Sequence, residues 1–347
     1  MKTLTERQQT ILRLAVRTHI ETGLPVASKT LVERFDLDLS PATVRHELAA
    51  LDEAGYMVQL HTSAGRIPTE AGYRYFVQRL VGEFELPVDQ RQMIRHQFHQ
   101  ARLDLDQWMR LSAAVLARAS QGASIVTAPR PLQNRFRHLQ LISTQGRLAL
   151  LVLVLFGGEV KQQMLTLAEP LPQSRLSAVT DRLNSLFEGL SQADIAARLS
   201  QLDDRLEEEV ARLTVDIIRR ADGRTISDFH RDGLANIVDD EGARQAVRVL
   251  EERSLLSSVL TETLTPEVSG VQVVIGGEGR WEELKDCAII VSRYGLEQQL
   301  AGVVAVVGPT RMPYGRNISA VRYVASLMSG FVYDYYMDLP QLAEPEG

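Results

Sequence analysis

The stretch that most restricts the fold of this chain is His61–Arg74, HTSAGRIPTEAGYR. The apolar-rich segment Tyr56–Leu60 leads into it. Ser63, Ala64, Gly65 and Arg66 then put small residues and one permanent cation in its middle. Thr69 follows as a cap for a helix over Glu70–Leu80. The pattern is a hairpin: two extended arms, a small cationic tip, and a helix immediately after.

The residues before the hairpin are helical. Thr5-Glu6-Arg7-Gln8 has the form of a capping box. Ile11, Leu12, Ala15, Val16 and His19 follow at helical spacing until Gly23 and Pro25 stop the helix. A second helix fits Ser28–Phe35. After the turn Asp36–Leu39, Ser40-Pro41 opens a third, with serine as N-cap and proline in the first helical position. It runs to about Ala54 and ends at Gly55. Val44, Leu48 and Leu51 recur at i, i+4 and i+7 and have to face a core. The opposite side carries Ala42, His46, Ala49 and Glu53, flanked by Thr43 and Arg45. Small residues let a helix approach base edges, while Thr, Arg and His supply hydrogen bonds. This is the docking arrangement of a helix-turn-helix, and the hairpin Tyr56–Thr69 makes it a winged one. Arg66, read as the wing tip, is placed to reach phosphate or the minor groove. Lys29, at the start of the second helix, is placed to clamp phosphate. The bland alternative is an ordinary helical bundle with His46 and Arg66 as solvated surface residues; a hairpin following in register favours DNA binding.

Bulk charge does not carry that binding. Of a formal net charge of -6, residues 1–80 hold ten Lys/Arg against nine Asp/Glu, a balance of +1, which leaves -7 on the remainder. DNA contact therefore rests on local placement of cations. A length of 347 residues with 45% hydrophobic content fits two or three domains with real cores. The single cysteine, Cys287, excludes an intramolecular disulfide and a cysteine-rich zinc site, and reads as a small buried hydrophobe. The N-terminus turns polar at once, unlike a signal peptide. The longest apolar run, Leu148–Phe156, is far short of the ~20 residues that span a bilayer. The expected location is cytoplasmic, with no membrane partner.

Beyond the hairpin, Val81–Pro87 reads as a linker. A helical stretch over Asp89–Gln121 follows, poorly patterned before Arg102, either two helices or a partly exposed connector. Gly122 and Pro129–Pro131 break it. Arg137–Ser143, Leu148–Phe156 and Val160–Leu167 form an antiparallel meander, the middle strand reading as buried because its apolar run does not alternate. The period then switches. Leu176, Val179, Leu183, Leu186 and Leu190 step 3-4-3-4, and Ile195, Leu199, Leu202, Leu206, Val210, Leu213 and Ile217 step 4-3-4-4-3-4. Two helices with seam-like stripes result, burying them against a partner or, alternatively, on their own sheet. Glu207–Glu209 reads as a solvated face. Strand character returns at Thr225–Phe229 or slightly later. A helix over Gly242–Leu264 precedes strands at Val271–Gly276, Cys287–Arg293 and Val303–Val307, and a last helix covers about Asn317–Phe331. Gly308-Pro309-Thr310-Arg311-Met312-Pro313-Tyr314 reads as a strand-to-helix turn, with Arg311 bonding carbonyls or a carboxylate.

GLPVASKTL (Gly23–Leu31), LSPATVRHELAALDEAGY (Leu39–Tyr56), HTSAGRIPTEAGYRYFV (His61–Val77) and VVGPTRMPY (Val306–Tyr314) together resemble the heat-inducible transcription repressor HrcA family across essentially the whole chain. The family usually has Asn where this sequence has His46; Asn bonds an adenine bidentately, His makes one contact at a time. The resemblance implies an α+β multidomain fold: a winged helix-turn-helix at 1–80, a helical linker at 81–122, a GAF-like sheet domain in two parts, 123–168 and 223–347, and an inserted helical dimerisation domain at 169–222. It implies a homodimer on double-stranded DNA at an inverted-repeat operator (the CIRCE element) of chaperone operons, released on heat shock and modulated by the GroEL chaperonin. DNA-contact candidates are Lys29, Ser40, Thr43, Arg45, His46, His61, Thr62, Ser63 and Arg66. Dimer candidates are Leu176, Leu183, Leu190, Leu199, Leu206 and Leu213. The alternative is a regulator that senses a small ligand in the GAF-like domain.

Catalytic patterns are missing from the sequence: no G-x-x-x-x-G-K-[ST], H-E-x-x-H or G-x-S-x-G occurs. His96 and His99 lie at i, i+3 and could share a metal, but no third ligand is in view. No enzyme activity, cofactor or metal is expected.

Overall fold

The computed structural model describes residues 4–61, 65–82, 84–99, 105–156, 158–222, 229–237, 243–263, 270–276, 282–296 and 299–338. It is a mixed α+β chain that divides into two compact units. One comprises Met1–Ala128, Ile226–Gly295 and Gly302–Gly347; the other comprises Pro129–Thr225 with Leu296–Ala301.

The first unit opens with three helices, α1 (Glu6–Thr22), α2 (Ser28–Phe35) and α3 (Pro41–Glu53), then a two-stranded wing of β1 (Met57–Gln59) and β2 (Arg66–Pro68). The caps form as the sequence dictates. Thr5 and Gln8 close a reciprocal capping box on α1, and Ser40 Oγ accepts from Thr43 N at 3.1 Å to start α3. Gly23 ends α1 at φ +69, left-handed backbone open to glycine at little cost. Thr69 caps α4 (Glu70–Tyr75), which runs on as a π-helical turn through Leu80. Ile11, Leu12, Ala15, Val16, Leu31, Val44, Leu48 and Leu51 are each at most 1% exposed and form the core of this helical part.

In the same unit, α5 (Val88–His99) and α6 (Leu105–Ser120) are two separate helices. They lead to a five-strand path in the order β8 (Phe229–Asp232), β3 (Ala123–Thr127), β11 (Leu300–Pro309), β10 (Cys287–Leu296), β9 (Val271–Ile275), with β8–β3, β3–β11 and β10–β9 antiparallel. The short β4 (Arg130–Pro131) pairs with Leu300 and Ala301, and these residues belong to the second unit. Strands β10 and β11 are buried on both faces. Ile289, Val291, Val303, Ala305 and Val307 pack with α10 (Ala243–Glu251) and α11 (Arg253–Thr263). On the other face, Ser124 of β3 donates to Ala113 O of α6, at 2.7 Å. There α6 packs with α12 (Tyr314–Asp338), with Ser112 Oγ 2.8 Å from Met328 Sδ and Trp108 against Phe331. The single helix expected over Gly242–Leu264 is two, interrupted at Glu252. The residues where the strand at Thr225 was expected to begin, 225–228, lie outside the described set.

The winged-helix part docks on this sheet part. Arg74 Nη1 donates to Ile275 O at 2.9 Å. Tyr73 meets Tyr314 with ring centroids 6.0 Å apart. The Arg311 guanidinium lies over Gly23, so close that a Cβ there would sit 2.1 Å from Nη1. Arg311 thus faces the carbonyl end of α1, where a cation is favoured.

The second unit differs from the sequence expectation. Strands β5 (Phe136–Ser143), β6 (Leu148–Leu155) and β7 (Val160–Thr166) do not extend the sheet of β3. They form a three-stranded sheet of their own, covered on one face by α7 (Gln173–Phe187), α8 (Gln192–Arg198) and α9 (Arg205–Asp222). The 123–168 segment is therefore split between two sheets. The second leucine stripe is also not one helix. It breaks at Leu199–Asp204, where Asp204 Oδ1 accepts from Leu206 N (2.8 Å) and Glu207 N (3.2 Å) and starts α9. Glu207 is not solvated: it is 3% exposed, with its carboxylate 3.5 Å from Arg182 Nε.

Candidate nucleic-acid interface

Helix α3 turns two different faces to two different environments. Val44, Leu48 and Leu51 are 0%, 1% and 0% exposed, locked in the helical core. Arg45 and His46, at the N-terminal end, are exposed, and Thr43 is half-buried. Ser40 is exposed too, but its hydroxyl is engaged: besides capping, it lies 2.9 Å from Thr43 Oγ1. Ser40 and Thr43 therefore define where the helix starts, while Arg45 and His46 are the long side chains that it presents outward. Lys29 on α2 is 77% exposed and 3.5 Å from Glu33 at i,i+4, a surface pair weak enough for a phosphate to replace. Nearby, Ala27 has no side chain with which to cap α2, so the N–H groups at that helix start also face the anion-favouring end of its dipole.

The wing is tighter than the sequence suggested. Its register pairs Gln59 with Arg66, Val58 with Ile67 and Met57 with Pro68. Arg66 is therefore the first residue of β2, at the base of the tip rather than on it. His61 is exposed beside the tip; Thr62 and Ser63 lie outside the described residues. Arg66 Nε donates to Asp52 Oδ2 of α3 at 2.9 Å, and its side chain is only 16% exposed. Gly65 has to be glycine: a Cβ there would lie 2.5 Å from the carbonyl of Val26. The Asp52–Arg66 pair was not anticipated, although two acids in the last turn of α3, Asp52 and Glu53, and one cation after the tip were visible in the chain.

Behind this surface the titratable groups are buried and neutral. His19 has its pKa lowered, first by burial; its bond to Leu24 O opposes that, and the Arg311 charge adds to it. Burial raises the Tyr73 and Tyr314 hydroxyls above the ordinary phenol range, and the Cys287 thiol to about 12. Buried groups held in their uncharged forms maintain a core and do not serve acid–base chemistry at neutral pH.

The six leucines expected at a dimer seam lie in the second unit. Leu176 and Leu183 are fully buried in its own core, beside Leu139, Leu151 and Ile218, and Asn184 of the same helix clasps the Leu139 backbone. Leu190, Leu199, Leu206 and Leu213 are partly buried against that core. Their stripe is taken up inside the chain because one face of β5–β7 needs the same cover. The opposite sheet face carries an exposed apolar band, with Ile142 41%, Leu148 41%, Val160 51% and Met164 50% exposed, interspersed with His138, Gln140, Gln162 and Thr166.

A family model described as HrcA protein C terminal domain matches residues 106–318, and one described as LexA DNA binding domain matches residues 1–66. The Heat-inducible transcription repressor HrcA of Roseiflexus castenholzii is 44% identical over 346 residues, covering 96% of each chain. The chain belongs to the HrcA family. The HrcA repressor of Herpetosiphon aurantiacus is 42% identical, again over 96% of both chains. A crystal structure known only as that of a hypothetical protein at 2.2 Å resolution has a TM-score of 0.58 and 23% identity, covering 96% of this chain and 98% of that one; it shows the shared fold. HrcA relatives carry the names of transcription repressors, not of enzymes.

Proposed function

We propose that this chain is a cytoplasmic, homodimeric repressor that reads an inverted-repeat operator of the CIRCE type before chaperone operons, lets go on heat shock, and is kept active by the GroEL chaperonin. The observation that carries the DNA reading is the exposed N-terminal end of α3. Arg45 and His46 stand outward on a helix whose other face is fixed by Val44, Leu48 and Leu51. In this proposal Arg45, His46 and Thr43 read base edges, and Lys29, Ser40, His61, Thr62 and Ser63 hold the backbone. Membership of the HrcA family supports the operator, the heat response and the chaperonin.

The dimer surface is assigned to the second unit, but through its sheet and not its helices. Strand β6 is apolar on both faces and covered on one: Ala149, Leu151, Leu153 and Leu155 are buried, while Leu150, Val152 and Val154 are only half-buried. Runs of that kind belong to strands covered on both sides. An uncovered apolar sheet face marks an association surface, and a second copy of the same face is self-complementary about a two-fold axis.

The test is a titration against a CIRCE-type duplex beside a scrambled one, at growth temperature and after a heat step, with and without chaperonin. Operator affinity about a thousandfold or more above scrambled affinity is expected, lost on heating and recovered with chaperonin. Equal affinity for both duplexes would contradict the operator reading. Recovery without chaperonin would contradict the chaperonin's part.

A further inference from the structure

Arg66 lies within the DNA-binding region, carries a permanent charge, and holds its guanidinium against its own domain. We infer that Arg66 is a positioning residue: with Asp52 it fixes the wing against the recognition helix, and it is not a phosphate contact. The inference rests on the operator reading above.

Three elements meet at this one residue. Its side chain bonds Asp52 in the last turn of α3, Nε to Oδ2 at 2.9 Å, with the two side chains 16% and 31% exposed. Its backbone N–H donates to Val26 O at 2.9 Å, and its carbonyl accepts from Val26 N at 2.8 Å. These bonds tie β2 to the segment between α1 and α2. Gly65, next door, permits the approach, since any Cβ would strike the Val26 backbone.

The electrostatics favour the same arrangement. A carboxylate in the last turn of a helix opposes the helix dipole. The Arg66 cation offsets that penalty with a charge-assisted bond in a partly dry setting. The geometry shows why it bears on DNA reading. Asp52 is nine residues beyond Thr43, so the anchored end lies about 14 Å along the helix from the reading end. A swing of about 10° at the anchor would carry Arg45 and His46 about 2 Å from their base edges, beyond the ~0.5 Å a binding constellation tolerates.

The experiment is a double-mutant cycle on the full-length protein with Asp52→Asn, Arg66→Gln and the pair. Affinities for operator and scrambled duplex are measured against salt, with the active fraction counted by stoichiometric titration and melting temperatures recorded. The expected result is an operator affinity about tenfold lower in each single variant and no lower in the double. Scrambled-duplex affinity and the salt slope stay at wild-type values, per active molecule. Arg66→Lys, which keeps the charge but loses the fork, is expected to recover only part of the loss.

A phosphate contact would behave differently. Arg66→Gln would weaken both duplexes equally and flatten the salt slope by about 0.9. Asp52→Asn, by releasing a cation, would strengthen scrambled binding. Either result overturns the inference, as do additive losses or unchanged operator affinity in both single variants. If only the active fraction falls, at unchanged affinity, the pair is merely structural and the inference is wrong. If the wild-type protein itself fails to distinguish the duplexes, the operator reading falls first and this inference with it.

Discussion

Helices α3 and α7 look alike as patterns, each with an apolar stripe at helical spacing, yet they serve opposite ends. In α3 the stripe is buried in its own domain, and the proposed base readers, Arg45 and His46, are what is left exposed. In α7 the stripe itself was read as functional, as a seam for a partner. The chain uses it internally, with Leu176 and Leu183 fully buried against β5 and β6. Periodicity states which residues leave water; it does not state which surface receives them. The candidate partner surface of that unit is therefore the face no helix covers, on the far side of the sheet.

The strongest way to break this comparison is Leu183→Ala. If Leu183 is core, the variant loses about 2–5 kcal/mol of stability in its unit, read as a lower unfolding midpoint, and association is spared in the molecules that stay folded. A seam residue would give the reverse, monomers at an unchanged midpoint. Next in size is the outer sheet face. Lysines at Leu148 and Met164 should leave the unfolding free energy within about 1 kcal/mol, because these side chains are 41% and 50% exposed. Light scattering should then show monomers at concentrations where the wild type is dimeric; an intact dimer would remove this face from the interface.

Much of the first unit was legible in the chain because its signals are local. Thr5–Gln8, Gly23 and Ser40-Pro41 act within one helical turn, and the structure places α1 to α3 at those marks. The wing was legible as a hairpin but not in its register. Three-residue strands put Arg66 opposite Gln59, and no residue in HTSAGRIPTEAGYR announces whether Arg66 stands at the tip or at its base. The meander of β5, β6 and β7 was legible from its turns, but its separation from the sheet of β3 was not. Strand β3 finds its partners, β8 and β11, far away in sequence, whereas β5 pairs with its neighbour β6. Membership of a sheet is a non-local fact that alternation cannot carry. Asp204 stands among the acids Asp203, Glu207 and Glu208, and its capping of α9 follows only once the break before it is known.

Smaller effects sharpen the contrast on the DNA side. Arg45→Ala or His46→Ala should cost about 1–3 kcal/mol on the best operator and relax preference at particular base pairs. Scrambled DNA should bind nearly as before. A uniform loss on every duplex would make the outward face of α3 a backbone contact only.

The smallest expected effect compares two histidines, His46 outward and His19 inward at 8% exposure. His19 sits against Leu24 O (2.9 Å), Tyr73 and the Arg311 charge, and its folded pKa is lowered, chiefly by burial. The unfolded chain then binds the extra proton more readily. The stability His19 contributes is complete above its unfolded pKa of about 6.5 and is lost as pH falls through that value toward the lower folded one. Between pH of about 7.5 and 5.5 the unfolding midpoint should fall more steeply for wild type than for His19→Gln. Parallel slopes would mean that His19 takes up its proton in place.

The central claim is that a two-fold pair of chains reads DNA through two α3 helices. It is tested most directly by one titration: the intact inverted repeat against the same duplex with one half-site scrambled. The account predicts a loss of at least about a hundredfold when one half is scrambled, with half the base contacts gone. Equal affinity for both duplexes would contradict it.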